Sequence, residues 1–161
     1  MSHSNLRKVE IDQIQFCMAF DRDAIFHDTY PQYAYLDLET GEMVWVFEED
    51  QHAEDVAGIA AEENAALRER VEAEPGRFLE VPGLDHGDHH DVLRQFLKSN
   101  WTDDKERWSQ VRDAYSGSIG RWKRAVGDET VVHAYYAFCE RRMQEMADEF
   151  LREKGIEPVW R

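Results

Sequence analysis

The chain has only two cysteines, Cys17 and Cys139, far apart and in no CxxC or other ligand spacing. That pattern suggests neither a disulfide framework nor a cysteine-based zinc site, and reduced, buried thiols are expected. Long hydrophobic runs are missing too. No stretch reaches the ~18 consecutive apolar residues of a membrane span. The start MSHSNLRKVE lacks the apolar core of a signal peptide, so a soluble, cytoplasmic protein without membrane contact is expected. Cations are scarce: 34 Asp and Glu stand against 19 Lys and Arg, a formal charge of −15. Such a charge repels phosphate backbones at long range, which argues against general nucleic-acid binding. There is no internal repeat, low-complexity segment or Ser/Gly linker. The turns at Pro82-Gly83, Gly117 and Gly127 are too short to separate domains, so residues 1–161 are expected to form a single domain.

What is present suffices for a core: 42% of residues are hydrophobic, with five Trp and eight Phe. The clearest local signal is AYLDLETGEMVWVF, two runs rich in β-branched and aromatic residues around Glu39-Thr40-Gly41. A left-handed Gly41 closes a three-residue loop and pairs Leu38 with Glu42. Counting back, Leu36 faces Val44 and Ala34 faces Val46 on one side, while Tyr35 faces Trp45 and Tyr33 faces Phe47 on the other. Both faces of this hairpin are apolar and need cover.

Before it, a short helix is expected from near Asp12, its N-cap, with Val9, Ile11, Ile14, Met18 and Phe20 as apolar positions. After it, EEDQHAED opens one amphipathic helix to Glu74, with Val56, Ile59, Ala60, Leu67 and Val71 as its stripe and Pro75-Gly76 as its end. The segment RFLEV, residues 77–81, reads as a third strand beside either strand of the hairpin. Four helices close the chain. The last, from Val131 to Leu151, carries Val132, Tyr135, Cys139, Met143, Met146 and Phe150 on one stripe, with Gly155 as a left-handed stop that Leu151 and Ile156 span. The expected class is therefore α+β: a small antiparallel three-stranded sheet packed with about six helices, the C-terminal half all helical.

Three stretches in order, YAYLDLETGEMVWV, RFLEVP and a C-terminal block, together resemble a bacterial uncharacterised protein family, number 0158 of the UPF series (UPF0158). In the block, GSIGRWKRAV (Gly117 to Val126) looks like that family's Gly-rich turn and basic aromatic helix. AYYAFCERRMQEMADEFLREKGIEP (Ala134 to Pro158) is similar to its closing helix. The resemblance covers roughly residues 9–158. Gly120 and Tyr135 depart from it, standing where the family more often has a bulky or basic residue and a Trp. The family carries no assigned activity, so the resemblance implies a fold rather than a reaction.

Asp85-His86-Gly87-Asp88-His89-His90-Asp91 is the one run with metal-ligand chemistry. On a helix beginning near Gly87, His86 and His90 fall a turn apart. His86, His89 and His90 with Asp88 could then serve a divalent-metal-dependent enzyme, whereas the competing reading makes Asp85 and Asp88 ordinary helix caps. A second candidate is the turn Gly117-Ser118-Ile119-Gly120 before Arg121, Lys123 and Arg124, an anion or nucleotide sensor if Ser118, Gly120 and those cations converge, otherwise a plain inter-helix turn. A third is the aromatic set Tyr33, Tyr35, Trp45 and Phe47, an interaction surface if nothing covers it and sheet core if helices do. No GxSxG, Walker or cofactor motif occurs, no catalytic residue is nominated, and no cofactor is expected.

Charge supplies the leading reading. Residues 39–80 hold thirteen acids and three Arg, net −10, whereas residues 118–161 hold eight of each sign. The expectation is a non-catalytic acidic interaction protein that binds a basic protein partner.

Overall fold

The computed structural model describes residues 5–21 and 30–161, with no side chain described for His86. In chain order the described elements are β1 (Arg7–Ile11), α1 (Gln13–Phe20), β2 (Gln32–Asp37), β3 (Met43–Phe47), α2 (Asp50–Ala57), α3 (Ala61–Ala73), β4 (Phe78–Val81), α4 (His86–Lys98), α5 (Lys105–Asp113), α6 (Ile119–Val126), α7 (Glu129–Glu153) and β5 (Ile156–Trp160). The class is α+β, as expected, with an antiparallel sheet ordered β3-β2-β4 and a separate parallel pair β1-β5. The described chain divides into two compact units, residues 1–84 with 147–161, and residues 85–146.

In the first unit, β4 settles beside β2 rather than β3: Ala34 pairs with Val81 and Leu36 with Leu79. The hairpin register differs by one residue from that expected. Leu36 stands opposite Met43, Tyr35 opposite Val44, Ala34 opposite Trp45 and Tyr33 opposite Val46. The loop holds four residues, because Asp37 and Glu42 close it: Asp37 N–H donates to the Glu42 carbonyl at 2.9 Å, and Gly41 N–H to the Asp37 carbonyl at 2.8 Å. Side chains brace the longer turn. Asp37 Oδ1 accepts from Glu39 N–H at 3.0 Å, and Thr40 Oγ1 accepts from Glu42 N–H at 3.3 Å. Because strand side chains alternate, the slip moves every residue of β3 to the other face relative to β2.

Asp12 caps α1 as expected, its Oδ1 accepting from Gln15 N–H at 3.0 Å. The buried face is Phe16, Ala19 and Phe20, however, while Ile14 is 74% and Met18 66% exposed. Val9 and Ile11 belong to β1, where burial follows a period of two, so they never joined a helical stripe. The single helix expected to run up to Glu74 is two. Gly58 takes the left-handed conformation (φ 67°), its N–H bonds the Glu54 carbonyl and that of Ile59 bonds the Ala53 carbonyl, a helix stop that glycine adopts without strain.

The parallel pair brings together the two ends of the described chain, with Arg7 opposite Ile156 and Ile11 opposite Trp160. Gly155, at φ 80°, ends α7 as expected and leads directly into β5. Leu151 and Ile156 on either side of it are both buried.

The second unit is helical, with α4 to α6 and the first part of α7 around Leu93, Phe96, Leu97, Val111, Trp122, Val131 and Tyr135. Trp122 is fully buried, and its indole N–H donates to the Val111 carbonyl at 2.9 Å, which satisfies the one polar atom of the ring. Phe96 and Tyr135 meet it edge-on. The buried positions of α7 match the expected stripe at Tyr135 but not towards its ends: Val131 is buried rather than Val132, and Ala147 and Leu151 rather than Met146 and Phe150, shifts of one position in opposite senses. Side-chain size does not set the phase, since a small Ala147 is fully buried while larger neighbours stay at the margin.

Candidate functional site

The Asp85 to Asp91 run begins α4, and its acids are occupied as caps. Asp85 Oδ1 accepts from Asp88 N–H at 2.8 Å, and Asp88 Oδ2 accepts from Asp85 N–H at 2.9 Å, a reciprocal capping box. Asp91 pairs with Arg94 at 2.8 Å. His90 is buried with Nδ1 on the Tyr115 hydroxyl, and His89 is half-buried with partners of its own. The His86 side chain lies outside the described residues. Among the described residues, no group of three or more His, Cys, Asp or Glu side chains is placed to hold a metal ion.

Ser118 is the N-cap of α6, its Oγ accepting from Arg121 N–H at 3.2 Å, while Gly117 supplies the left-handed turn before it (φ 94°). Gly120, Arg121 and Arg124 lie together on an exposed face. Lys123 turns away from that face, donating to the Tyr136 hydroxyl at 2.8 Å with its ammonium 4.6 Å from the ring centre. The three cations therefore do not converge on the Ser118 turn.

The hairpin aromatics are divided between two faces. Tyr33 and Tyr35 share theirs with Val44 and Val46, whereas Trp45 and Phe47 lie on the side of Ala34 and Leu36. Phe47 is buried and the other three are half-buried, so the four rings do not form one exposed patch. On the tyrosine side α3 is near: Arg70 lies 5.6 Å from the Phe78 ring centre. The Tyr35 hydroxyl is pushed to higher pKa by burial, with Glu80, Tyr33 and Glu72 adding to it.

Two polar centres in this unit had no signal in the sequence. Asp37, buried at the end of β2, meets the Arg77 guanidinium with both oxygens, Nε to Oδ1 and Nη2 to Oδ2 at 2.9 Å each. Those bonds, with the Glu39 N–H, hold its carboxyl at about 2 against the desolvation that opposes them. Arg77 also meets Glu39 at 3.2 Å and Glu74 at 3.7 Å, and it stacks over Phe78. Asn64, buried in α3, accepts from Phe47 N–H at 2.9 Å and donates to the Phe47 carbonyl at 3.0 Å and to Asp50 at 2.7 Å. Arg68 reinforces the same point, reaching Asp50, the Phe47 carbonyl and the Glu48 carbonyl. Asn64 and Arg68 together hold the Asp50 carboxyl below the ordinary carboxylate value.

The charge divides with the fold. The first unit carries 23 acidic and nine basic residues, net −14, and the second eleven and ten, net −1. Within residues 39–80 all three cations are already paired: Arg68 with Asp50, Arg70 with Glu74, and Arg77 with Asp37. The exposed carboxylates of Glu62, Glu63 and Glu69 along α3 form no ion pair among the described residues.

No family model, curated protein or solved structure matches this chain. Among the described residues no helix is long and apolar enough to cross a membrane.

Proposed function

We propose that this is a bacterial protein of the uncharacterised family it resembles, working in the cytoplasm as a non-catalytic interaction protein whose acidic first unit binds a basic protein partner. The observation that carries this reading is the separation of charge: almost the whole excess of acid lies in one unit, and the cations of its most acidic stretch are spent internally. Unpaired carboxylates along a helix give a negative field, which steers an oppositely charged surface toward it and is screened by salt over about 8 Å at physiological ionic strength.

Affinity capture from cell extract with the full chain as bait tests the proposal. A specific basic partner should be retained at low salt and released as salt rises. Bait carrying Glu62→Gln, Glu63→Gln and Glu69→Gln should retain it several-fold less. Capture of no reproducible partner, or of one indifferent both to salt and to these substitutions, overturns the reading.

A further inference from the structure

The loop between α4 and α5 encloses, with the ends of those helices, a surface cavity of about 470 Å³ in the second unit. Its two cations come from the helix ends, Lys98 as the last residue of α4 and Lys105 as the first of α5. Trp108 and Ser109 follow Lys105 at spacings of three and four residues, so the three share one face of α5 and all line the cavity. Asn100, Thr102 and Asp103 line it from the loop.

The loop is held in shape by its own polar groups. Ser99 Oγ donates to the Phe96 carbonyl at 2.6 Å, and Asp104 N–H donates to Thr102 Oγ1 at 3.2 Å. The Asp104 carboxylate caps α5, its Oδ1 accepting from Arg107 N–H at 3.0 Å. Asp103 is thus the one acid lining the cavity, against two lysines, in a chain of net charge −15. The arginines nearby are paired: Arg94 with Asp91, Arg107 with Asp128, and Arg112 with Asp113. Neither Lys98 nor Lys105 has a carboxylate at ion-pair distance among the described residues. Arg112 lies over one face of the Trp108 ring, its guanidinium carbon 4.5 Å from the ring centre.

We propose that this cavity binds a small phosphate-bearing ligand with a planar ring, of the class of a nucleoside monophosphate. Two ammonium groups at the cavity supply charge-assisted hydrogen bonds to phosphate oxygens. An indole there offers a flat apolar surface on which a base can pack. The hydroxyls of Thr102 and Ser109, the Asn100 amide and the Asp103 carboxylate provide partners for sugar hydroxyls and ring amino groups. The volume falls within the range of roughly 300–1,000 Å³ that small-molecule sites occupy. The anion site therefore lies at the α4–α5 loop, not at the Gly117 turn where the sequence placed its candidate.

The test titrates the full chain with adenosine monophosphate, with inorganic phosphate and with adenosine as separate probes. Intrinsic fluorescence and the Trp108 indole N–H resonance, assigned through Trp108→Phe, report binding. The expected result is saturable binding of adenosine monophosphate that shifts the Trp108 signal, with phosphate and adenosine each at least about tenfold weaker. Lys98→Gln with Lys105→Gln should weaken it by a further factor of about ten or more, and the single variants by less, without changing the thermal midpoint because both side chains are at the surface. Three outcomes overturn the proposal: no saturation up to roughly 10 mM nucleotide, binding that the lysine substitutions leave intact, or binding that moves other indole resonances and not that of Trp108.

Discussion

Gly41 and Glu10 are packed backbone to backbone: a Cβ on Gly41 would stand 1.8 Å from the Glu10 carbonyl oxygen. The hairpin loop is pressed onto the end of β1, and Asp12 N–H donates to the Gly41 carbonyl at 2.9 Å beside that contact. Gly41 also sits at φ 75°. Two separate causes, a left-handed backbone and a neighbour that is main chain and cannot rotate away, demand glycine here.

Gly155→Ala separates the two causes, because Gly155 has φ 80° but open space around its missing Cβ. We expect Gly155→Ala to cost about 1 kcal/mol, the price of the backbone alone. Gly41→Ala should cost roughly 3 kcal/mol or more, since β1 or the loop must move. Urea midpoints of the two variants check this. Equal losses would show that the loop yields freely to the added methyl group.

Acid should weaken the first unit through Asp37. Its folded-state carboxyl titrates at about 2, below the ordinary 3.8, so the ionised form favours the folded state. That contribution, about 2 kcal/mol, is present in full well above pH 4 and disappears as pH falls from the unfolded value through the folded one. Arg77→Met should destabilise the unit at neutral pH by about 3 kcal/mol, because it leaves a buried carboxylate without its partner. It should also remove the extra acid sensitivity between pH 4 and 2, as the Asp37 pKa rises. Side-chain carboxyl NMR titration of both forms, with denaturation at several pH values, gives the answer. An unchanged acid limb in the variant would count against Asp37 as the source.

Asn64 is the other half of the sheet's attachment. Replacing it with Leu leaves the N–H and carbonyl of Phe47 without the amide and removes a donor from Asp50. A cost of about 2–4 kcal/mol is expected for the combined loss. Backbone hydrogen exchange should show the Phe47 amide losing protection first, while amides of the β2–β4 ladder keep theirs. If protection at Phe47 survives, β3 is held by its strand pairing and not by α3.

Local signals were legible where a few neighbouring residues decide the conformation. The Asp12 cap, the Gly155 stop, the strand RFLEV and the four closing helices all follow from side-chain oxygens, glycine freedom and apolar period. The hairpin was legible as a hairpin, but its register depended on whether Asp37 and Thr40 would brace a fourth loop residue. One residue of difference there reassigned every face. The parallel strand IEPVW was not legible, because it pairs with residues at the opposite end of the chain and carries Pro158.

By itself the sequence determined the α+β class, the acidic charge and local signals such as the Asp12 cap and the Gly155 stop, all of which rest on composition and on contacts within a few residues. Only the tertiary structure decided the hairpin register, the β1–β5 pairing, the division of charge between two units and the cavity that brings Lys98 to Lys105 and Trp108. Those features depend on which distant groups meet. That choice is made by packing and by the need of buried polar atoms such as those of Asp37 and Asn64 to find partners.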